Sequence, residues 1–339
     1  MKIAKQEWRC LVEKLDKTLK NNASGGLKEK MKRFLVLATA ILFAAASLFF
    51  AGCGKQEKGG SRESGSPVVI RDDSGAEVSI KGVPKRIVSL TPSNTEILFA
   101  LGLGDRVVGV TTYCNYPPEA KKKPKIGDLQ TNVEKVVSLN PDLVVAKWTM
   151  NKDAVVKLRK LNIPVLCVEP ESIAGVYHAI ELIAKATGTM EKGEKLIAEM
   201  KSEIQKVQEK VAAIPQSKRL KVFIEIGDDP LYTAGSDTFV HELVSLAGGV
   251  NIAADIKGYQ MYNSETVVEK NPDVILAADS YYVDVQKSIQ KRPGWTSIEA
   301  VRKGRVITDI DPDLLSRPGP RSAEAVKAIA AALYPELFK

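Results

Sequence analysis

One phrase is written twice in this chain. "VEKVVSLNPDLVVA" at Val133–Ala146 returns as "SETVVEKNPDVILA" at Ser264–Ala277. Aligned on Glu134 and Glu265, an offset of 131, the copies share Glu134/Glu265, Val136/Val267, Val137/Val268, Asn140/Asn271, Pro141/Pro272, Asp142/Asp273 and Ala146/Ala277. Each copy reads as a short helix, capped by Asn132 or Ser264, that passes through Asn-Pro-Asp into a buried strand. At 339 residues the chain is long enough for two domains with their own cores. The repeat therefore predicts two lobes of like construction.

The intervening sequence agrees. "VVIRDDSGAEVSI" reads as a hairpin. From "RIVSL" (Arg86 to Leu90) onward, short apolar runs alternate with helical patterns: "RVVGVTT", "DLVVA" and "PVLCV" in the first half, "LKVFIEI", "DVILAA" and "RVITDI" in the second. Buried strands alternating with helices imply a mainly parallel sheet covered on both faces. Between the halves, Leu196, Ile197, Met200, Ile204, Val207 and Val211 recur at helical spacing. The expected class is α/β, with two Rossmann-like lobes joined by one long helix and a ligand cleft between them. The expected boundaries are 68–188 for the first lobe, 189–215 for the connecting helix and 216–339 for the second lobe.

The amino end is built differently. "MKRFLVLATAILFAAASLFFAGC" has two cations, an apolar run from Phe34 to Phe50, then Ala51, Gly52 and Cys53, the layout of an export signal over residues 31–52. Seventeen apolar residues are marginal for a membrane span. Residues 1–30 precede an already complete signal, so translation is expected to begin at Met31. Residues 53–67 carry no apolar periodicity and read as a flexible tether. Of the remaining cysteines, Cys114 and Cys167 each follow a different strand, and two free thiols are expected rather than a disulfide.

Charge removes one class of partner. The net charge of +8 comes mostly from residues 1–52, which hold ten Lys/Arg against four Asp/Glu, leaving 39 against 37, about +2, in the body. A nucleic-acid partner loses its electrostatic footing. Catalysis is equally unsupported: no Gly-x-Gly-x-x-Gly follows a strand, and there is no Walker loop or Gly-x-Ser-x-Gly elbow. Ser236 and His241 are too close along one helix start to act as nucleophile and base. With only His178 and His241, both on helical stretches, a His-rich metal site cannot be assembled.

Aromatic residues point to a ligand instead. Seven of nine tyrosines fall in segments expected at the carboxyl ends of strands, where open α/β sheets bind ligands: Tyr113, Tyr116, Tyr232, Tyr259, Tyr262, Tyr281 and Tyr282. Together with Trp148 they suggest a wide aromatic cleft. Tyr113, Trp148 and Tyr262 are the foremost candidates, with Lys147, Arg317 and Arg321 as candidate cations.

The run "RIVSLTPSNTEILFALGLGDRVVGVTTYCNYPPEAKKKPKIGDLQTNVEKVVSLNPDLVVA" and the later "SRPGPRSAEAV" resemble the substrate-binding lipoproteins of ABC importers for vitamin B12, haem and ferric siderophores, over about Val68 to Lys339. "TTYCNYPPEA" looks most like the vitamin B12 binders. The resemblance implies a monomer that performs no chemistry, has no resident cofactor, and hands a metal chelate to a permease dimer with its ATPase subunits. By the same resemblance "FAGC" is a lipoprotein box, with Cys53 lipidated and the body leashed to the outer face of a membrane. Phe50 departs from the aliphatic residue usual there. Glu134 and Glu265 match the glutamates that engage arginines of the two permease subunits, one per lobe. The expected ligand is a cobamide held by stacking; the alternatives are haem, with Tyr113 or Tyr259 as axial ligand, or an anionic siderophore held by Lys147, Arg317 and Arg321.

Overall fold

The computed structural model describes residues 67–279 and 284–339. Residues 1–66, with the expected signal, Cys53 and the tether, lie outside the described residues, as do Tyr281 and Tyr282. No helix among the described residues is long and apolar enough to cross a membrane.

The chain opens with an antiparallel hairpin, β1 (Val68–Arg71) and β2 (Glu77–Ile80). Asp72 in its turn fastens it to the body: the buried carboxylate accepts from Ser74 N, Ala76 N and Cys167 N and pairs with Arg159 at 2.6 Å. The first lobe then alternates β3 (Ile87–Ser89), α1 (Pro92–Ala100), β4 (Val107–Gly109), α2 (Val133–Ser138), β5 (Leu143–Ala146), α3 (Trp148–Lys160), β6 (Val165–Cys167) and α4 (Ile173–Thr187). Its four strands are all parallel, in the order β4-β3-β5-β6. Cys114 and Cys167 are free and buried. Burial and the neighbouring Asp72 push the Cys167 thiol up to about 12, which keeps it protonated and unreactive.

One helix carries the chain across. α5 (Met190–Ala212) spans 23 residues, about 34 Å at the usual rise. It buries Ile197, Met200, Ile204, Val207 and Val211 against α4 of the first lobe and the last helix of the second. Each such side chain contributes roughly 1.5–3 kcal/mol relative to exposure, so the spine is held along its whole length. At Gly193 a methyl group would stand 2.8 Å from Ala184 Cβ, which is why this crossing carries a glycine.

The second lobe comprises β7 (Lys221–Asp228), β8 (Leu231–Ala234), α6 (Phe239–Leu246), β9 (Val250–Asn251), β10 (Tyr259–Met261), α7 (Ser264–Lys270), β11 (Val274–Ala277), α8 (Val285–Lys291), α9 (Glu299–Arg302), β12 (Val306–Ile307), α10 (Pro312–Ser316) and α11 (Ser322–Leu333). Its sheet is mixed, in the order β10-β8-β7-β11-β12 with β9 beside β7. β9, β7, β11 and β12 run parallel; β8 and β10 are antiparallel additions. "DDPLY" and "GYQMYN", expected as loops at strand ends, supply a two-residue turn and an edge strand. Antiparallel neighbours need only such a turn, whereas parallel ones need a crossover.

The repeated phrase builds one corner in both lobes. Asn132 and Asn263 cap the two helices, Asn263 taking the place expected for Ser264, whose hydroxyl instead accepts from the Trp295 indole. Val136 and Val267 are fully buried. Asn140 and Asn271 take left-handed φ of 45° and 43°, which ends each helix. Asp142 then accepts from Lys85 N and Arg86 N, and Asp273 from Lys221 N, so each copy fixes the entry to its lobe's first central strand. Arg86 and Lys221 return the favour by donating to the helix-end carbonyls of Leu139 and Lys270. Val136, Asn140 and Asp142 and their counterparts thus each have a packing or hydrogen-bonding reason. Glu134 and Glu265 do not: both are exposed in the first turn of a helix, with no ion pair among the described residues.

Candidate functional site: the cleft between the lobes

Two polar clasps join the lobes beside α5. In the first, Glu96 of α1 is buried and takes two arginines from the other lobe: Arg317 Nη1 lies 3.2 Å from Oε1, and Arg321 Nε and Nη2 each lie 3.0 Å from the carboxylate. Arg317 also donates to Asn115 Oδ1 and to the Tyr113 carbonyl, while Asn115 Nδ2 donates to Asp313 at 2.9 Å. Arg321 lies 4.0 Å above the Tyr116 ring, a cation–π contact. In the second clasp, Glu242 on α6 accepts from Ile173 N, the first amide of α4, at 2.8 Å. A carboxylate at a helix amino end is favoured by the free N–H groups and the dipole there.

Between the lobes is a cavity of about 570 Å³. Lys147, Pro170 and Glu171 reach it from the first lobe. The second lobe contributes Ile226 and Ala278 from the carboxyl ends of β7 and β11, the start of α6 from Asp237 to Val240, Tyr259 on β10, and Leu315, Ser316 and Pro318. Lys147 is paired with Glu169 at 3.3 Å, and Asp237 accepts from Gly258 N. Glu171 is therefore the one cavity carboxylate without such a partner among the described residues. Partial desolvation of its hydroxyl and then Glu171 hold the Tyr259 pKa above the ordinary phenol value. The wall is apolar in the main and carries no unpaired cation among the described residues.

The sequence-expected residues are dispersed. Tyr259 and Lys147 line the cavity. Tyr113 and Tyr116 lie beside the first clasp with half-exposed rings. Tyr232 stands on β8 opposite Met261 of β10. Trp148 is not brought into the cavity: it opens α3 and lies between Lys152 and Arg159, 5.7 and 6.0 Å from its ring centre. Tyr262 turns away as well, packing 6.0 Å from the Phe223 ring and bonding Lys270 Nζ at 2.8 Å. Arg317 and Arg321 are committed to Glu96. Ser236 donates to Ile256 O and His241 faces Asn251 and Ser245, so the two share no hydrogen bond. Sequence reasoning missed Glu96, Glu171, Glu242 and the α6 amino end. The one signal for the last was Thr238, whose hydroxyl caps that helix.

This geometry has counterparts among known proteins. The family model for periplasmic binding proteins matches residues 87–313, most of the chain. The chain belongs to that family. It is 44% identical over 319 residues to YvrC of Bacillus subtilis, an uncharacterized ABC transporter substrate-binding lipoprotein, covering 91% of this chain and all of that one. The crystal structure of the periplasmic vitamin B12 binding protein BtuF of Vibrio cholerae is similar, with a TM-score of 0.63 and 28% identity over 76% of this chain and 99% of that one. So is the periplasmic heme-binding protein RhuT from Roseiflexus, with a TM-score of 0.68 and 32% identity over 75% of this chain and 99% of that one. Within this family the chain is a substrate-binding component of an ABC transporter and has the two-lobed fold expected from its repeat.

Behind the cavity wall lies one costly group. Asp279, just past β11, is 4% exposed, and neither carboxylate oxygen has a hydrogen-bond partner among the described residues. Burial, then the Glu225 carboxylate, and further off Asp228, push it up to about 6 against the pull of Arg292, which is already paired with Glu225 at 2.7 Å. Because the folded state holds this proton more tightly, stability falls as pH rises from about 4 to about 6. The loss from this group is on the order of 2–3 kcal/mol. Urea unfolding between pH 4 and 7.5 should show that fall in the wild type and a flatter profile in Asp279→Asn. Identical profiles would mean that Asp279 is already ionised at pH 4.

Proposed function

We propose that the protein is a lipid-anchored, extracytoplasmic receptor that captures a cobamide, most simply vitamin B12, and delivers it to an ABC permease. The observation that carries the ligand reading is the character of the cavity. Its wall is largely apolar, with the Tyr259 ring exposed on it, and the basic residues near it are spent: Lys147 on Glu169, Arg317 and Arg321 on Glu96. An anionic siderophore draws on free cations for charge-assisted bonds. Haem ligation by Tyr259 would draw on a phenolate, which partial desolvation and Glu171 both disfavour. A neutral, amide-rimmed corrin asks for neither. The likeness to a vitamin B12 binding protein supports the same reading.

Titration of cyanocobalamin, haem and a ferric siderophore against wild type, Tyr259→Ala and Arg317→Ala tests it. Cyanocobalamin should bind, and losing the Tyr259 ring should weaken it roughly two- to tenfold. A siderophore that binds wild type while cyanocobalamin does not would end the cobamide reading and leave the receptor intact. Anchoring is read from Cys53, with the apolar run before it and the tether after it. Cys53→Ser should release the body from membranes. An intact mass with Cys53 unmodified in membrane-bound protein would contradict the anchor.

A further inference from the structure

Around the cavity, each source of positive potential among the described residues is already answered by the protein. Lys147 reaches it from the first lobe but pairs with Glu169 at 3.3 Å, and the nearby Arg317 and Arg321 are held by Glu96. The amino end of α6 also faces the cavity, and a helix start attracts anions. Here Thr238 Oγ1 accepts from His241 N, Asp237 stands just before that cap, and Glu242 lies in the first turn. Glu242 accepts from Ile173 N as well, so the amino end of α4 is answered too.

Glu171 is what remains. Its side chain lines the cavity, and no cation among the described residues pairs with it. A second observation puts its charge in the same space. The Tyr259 hydroxyl, on the opposite lobe's share of the wall, is held above the ordinary phenol value by partial desolvation and then by Glu171. A carboxylate that close to Tyr259 also acts on a ligand lying against the ring. Helix capping does not account for the residue. Glu171 precedes Ser172, the cap of α4, but Ser172 Oγ takes Gly175 N at 3.0 Å and Glu242 takes Ile173 N. Packing does not account for it either, since the side chain is exposed.

We propose that Glu171 is a specificity residue of the cleft, favouring a cationic chelate over a neutral one of the same shape and opposing an anionic one. Among cobamides the cationic class is the form with water at the upper axial position; cyanocobalamin is neutral, and haem carries two carboxylates. The assignment rests on the cobamide reading and refines it. Glu171 acts through space, with Asp237 adding to its field, and needs no bond to the metal. Water reaches the carboxylate, so the discrimination is modest, roughly two- to fivefold per unit of ligand charge at low salt.

The test is calorimetric titration of aquocobalamin and cyanocobalamin into wild type, Glu171→Gln and Glu171→Lys at about pH 6, at low ionic strength and in about 0.5 M salt, with thermal melting of each ligand-free protein. At low salt wild type should bind aquocobalamin roughly two- to fivefold more tightly than cyanocobalamin, and salt should shrink that ratio. The ratio should fall to about one in Glu171→Gln and invert in Glu171→Lys, while cyanocobalamin affinity in Glu171→Gln stays within about twofold and its melting point within about 2 °C of wild type. Equal wild-type affinities for the two corrinoids at low salt would overturn the assignment alone. So would a preference for aquocobalamin that survives in both variants and in salt, which would mark ligation of the cobalt by another side chain. No binding of either corrinoid by wild type would overturn the assignment together with the cobamide reading.

Discussion

Replacing Glu96 by alanine is expected to cost about 3–5 kcal/mol of unfolding free energy, because it strands two nearly buried guanidinium groups whose charge no longer has its main partner. Arg317 and Arg321 are 11% and 12% exposed at the side chain, so water cannot take over. Asp313 and Asp311 remain, at 2.7 and 3.5 Å, but they belong to the same lobe as the arginines, which leaves the hydrogen bonds of Asn115 and the Tyr113 carbonyl to span this clasp. The variant should therefore also open the cleft. Urea unfolding reads the first effect and small-angle scattering the second, as an increase in radius of gyration. Glu96→Gln, which keeps the shape and one acceptor, should lie between. A loss below about 1 kcal/mol with unchanged scattering would mean that the clasp contributes nothing net. Its opening bears on function, since a cobamide is larger than the 570 Å³ cavity and parting the lobes would widen it.

Reversing either repeated glutamate should abolish transport and leave binding alone. Glu134→Lys and Glu265→Lys are each expected to cut uptake at least tenfold while ligand affinity stays within about twofold. The reason lies in what the repeat leaves unexplained. Burial, a left-handed turn and strand-entry hydrogen bonds account for Val136, Asn140 and Asp142 and for their counterparts Val267, Asn271 and Asp273. The two glutamates gain only the helix-end field, worth roughly 0.3–1 kcal/mol at an exposed site, and neither lines the cavity. A protein that docks on a two-fold permease with both lobes calls for one charged anchor on each. Uptake by whole cells and equilibrium binding by the purified body separate the two quantities. Weakened binding in either variant, with docking intact, would move that glutamate into the ligand site.

The two-lobed plan was readable because its signals are local. Apolar runs of a strand's length, a 3.6-residue stripe over Leu196–Val211 and the duplicated Asn-Pro-Asp corner each carry their meaning within a few residues. The mixed character of the second sheet was not, since "DDP" reads equally well as the end of a strand or the turn of a hairpin. The clasp was invisible for a different reason: Glu96 lies 221 and 225 positions from its arginines, and nothing in either segment announces the other. The aromatics show the limit most plainly. Tyr259 lines the cavity, whereas Tyr262, three residues on, faces Phe223 in the core. Successive residues of a strand point to opposite faces, so an error of one position moves a ring from cleft to core. Trp148 was expected beyond a strand and instead opens a helix, which turns its ring along α3.

The most direct test of the cobamide reading is the visible absorption spectrum of the protein purified, without its signal, after incubation with a mixture of cyanocobalamin, haem and a ferric catecholate. The account predicts corrinoid bands that co-elute with the protein at close to one equivalent and are reduced in Tyr259→Ala. A Soret band or a catecholate band in place of the corrinoid bands would contradict it.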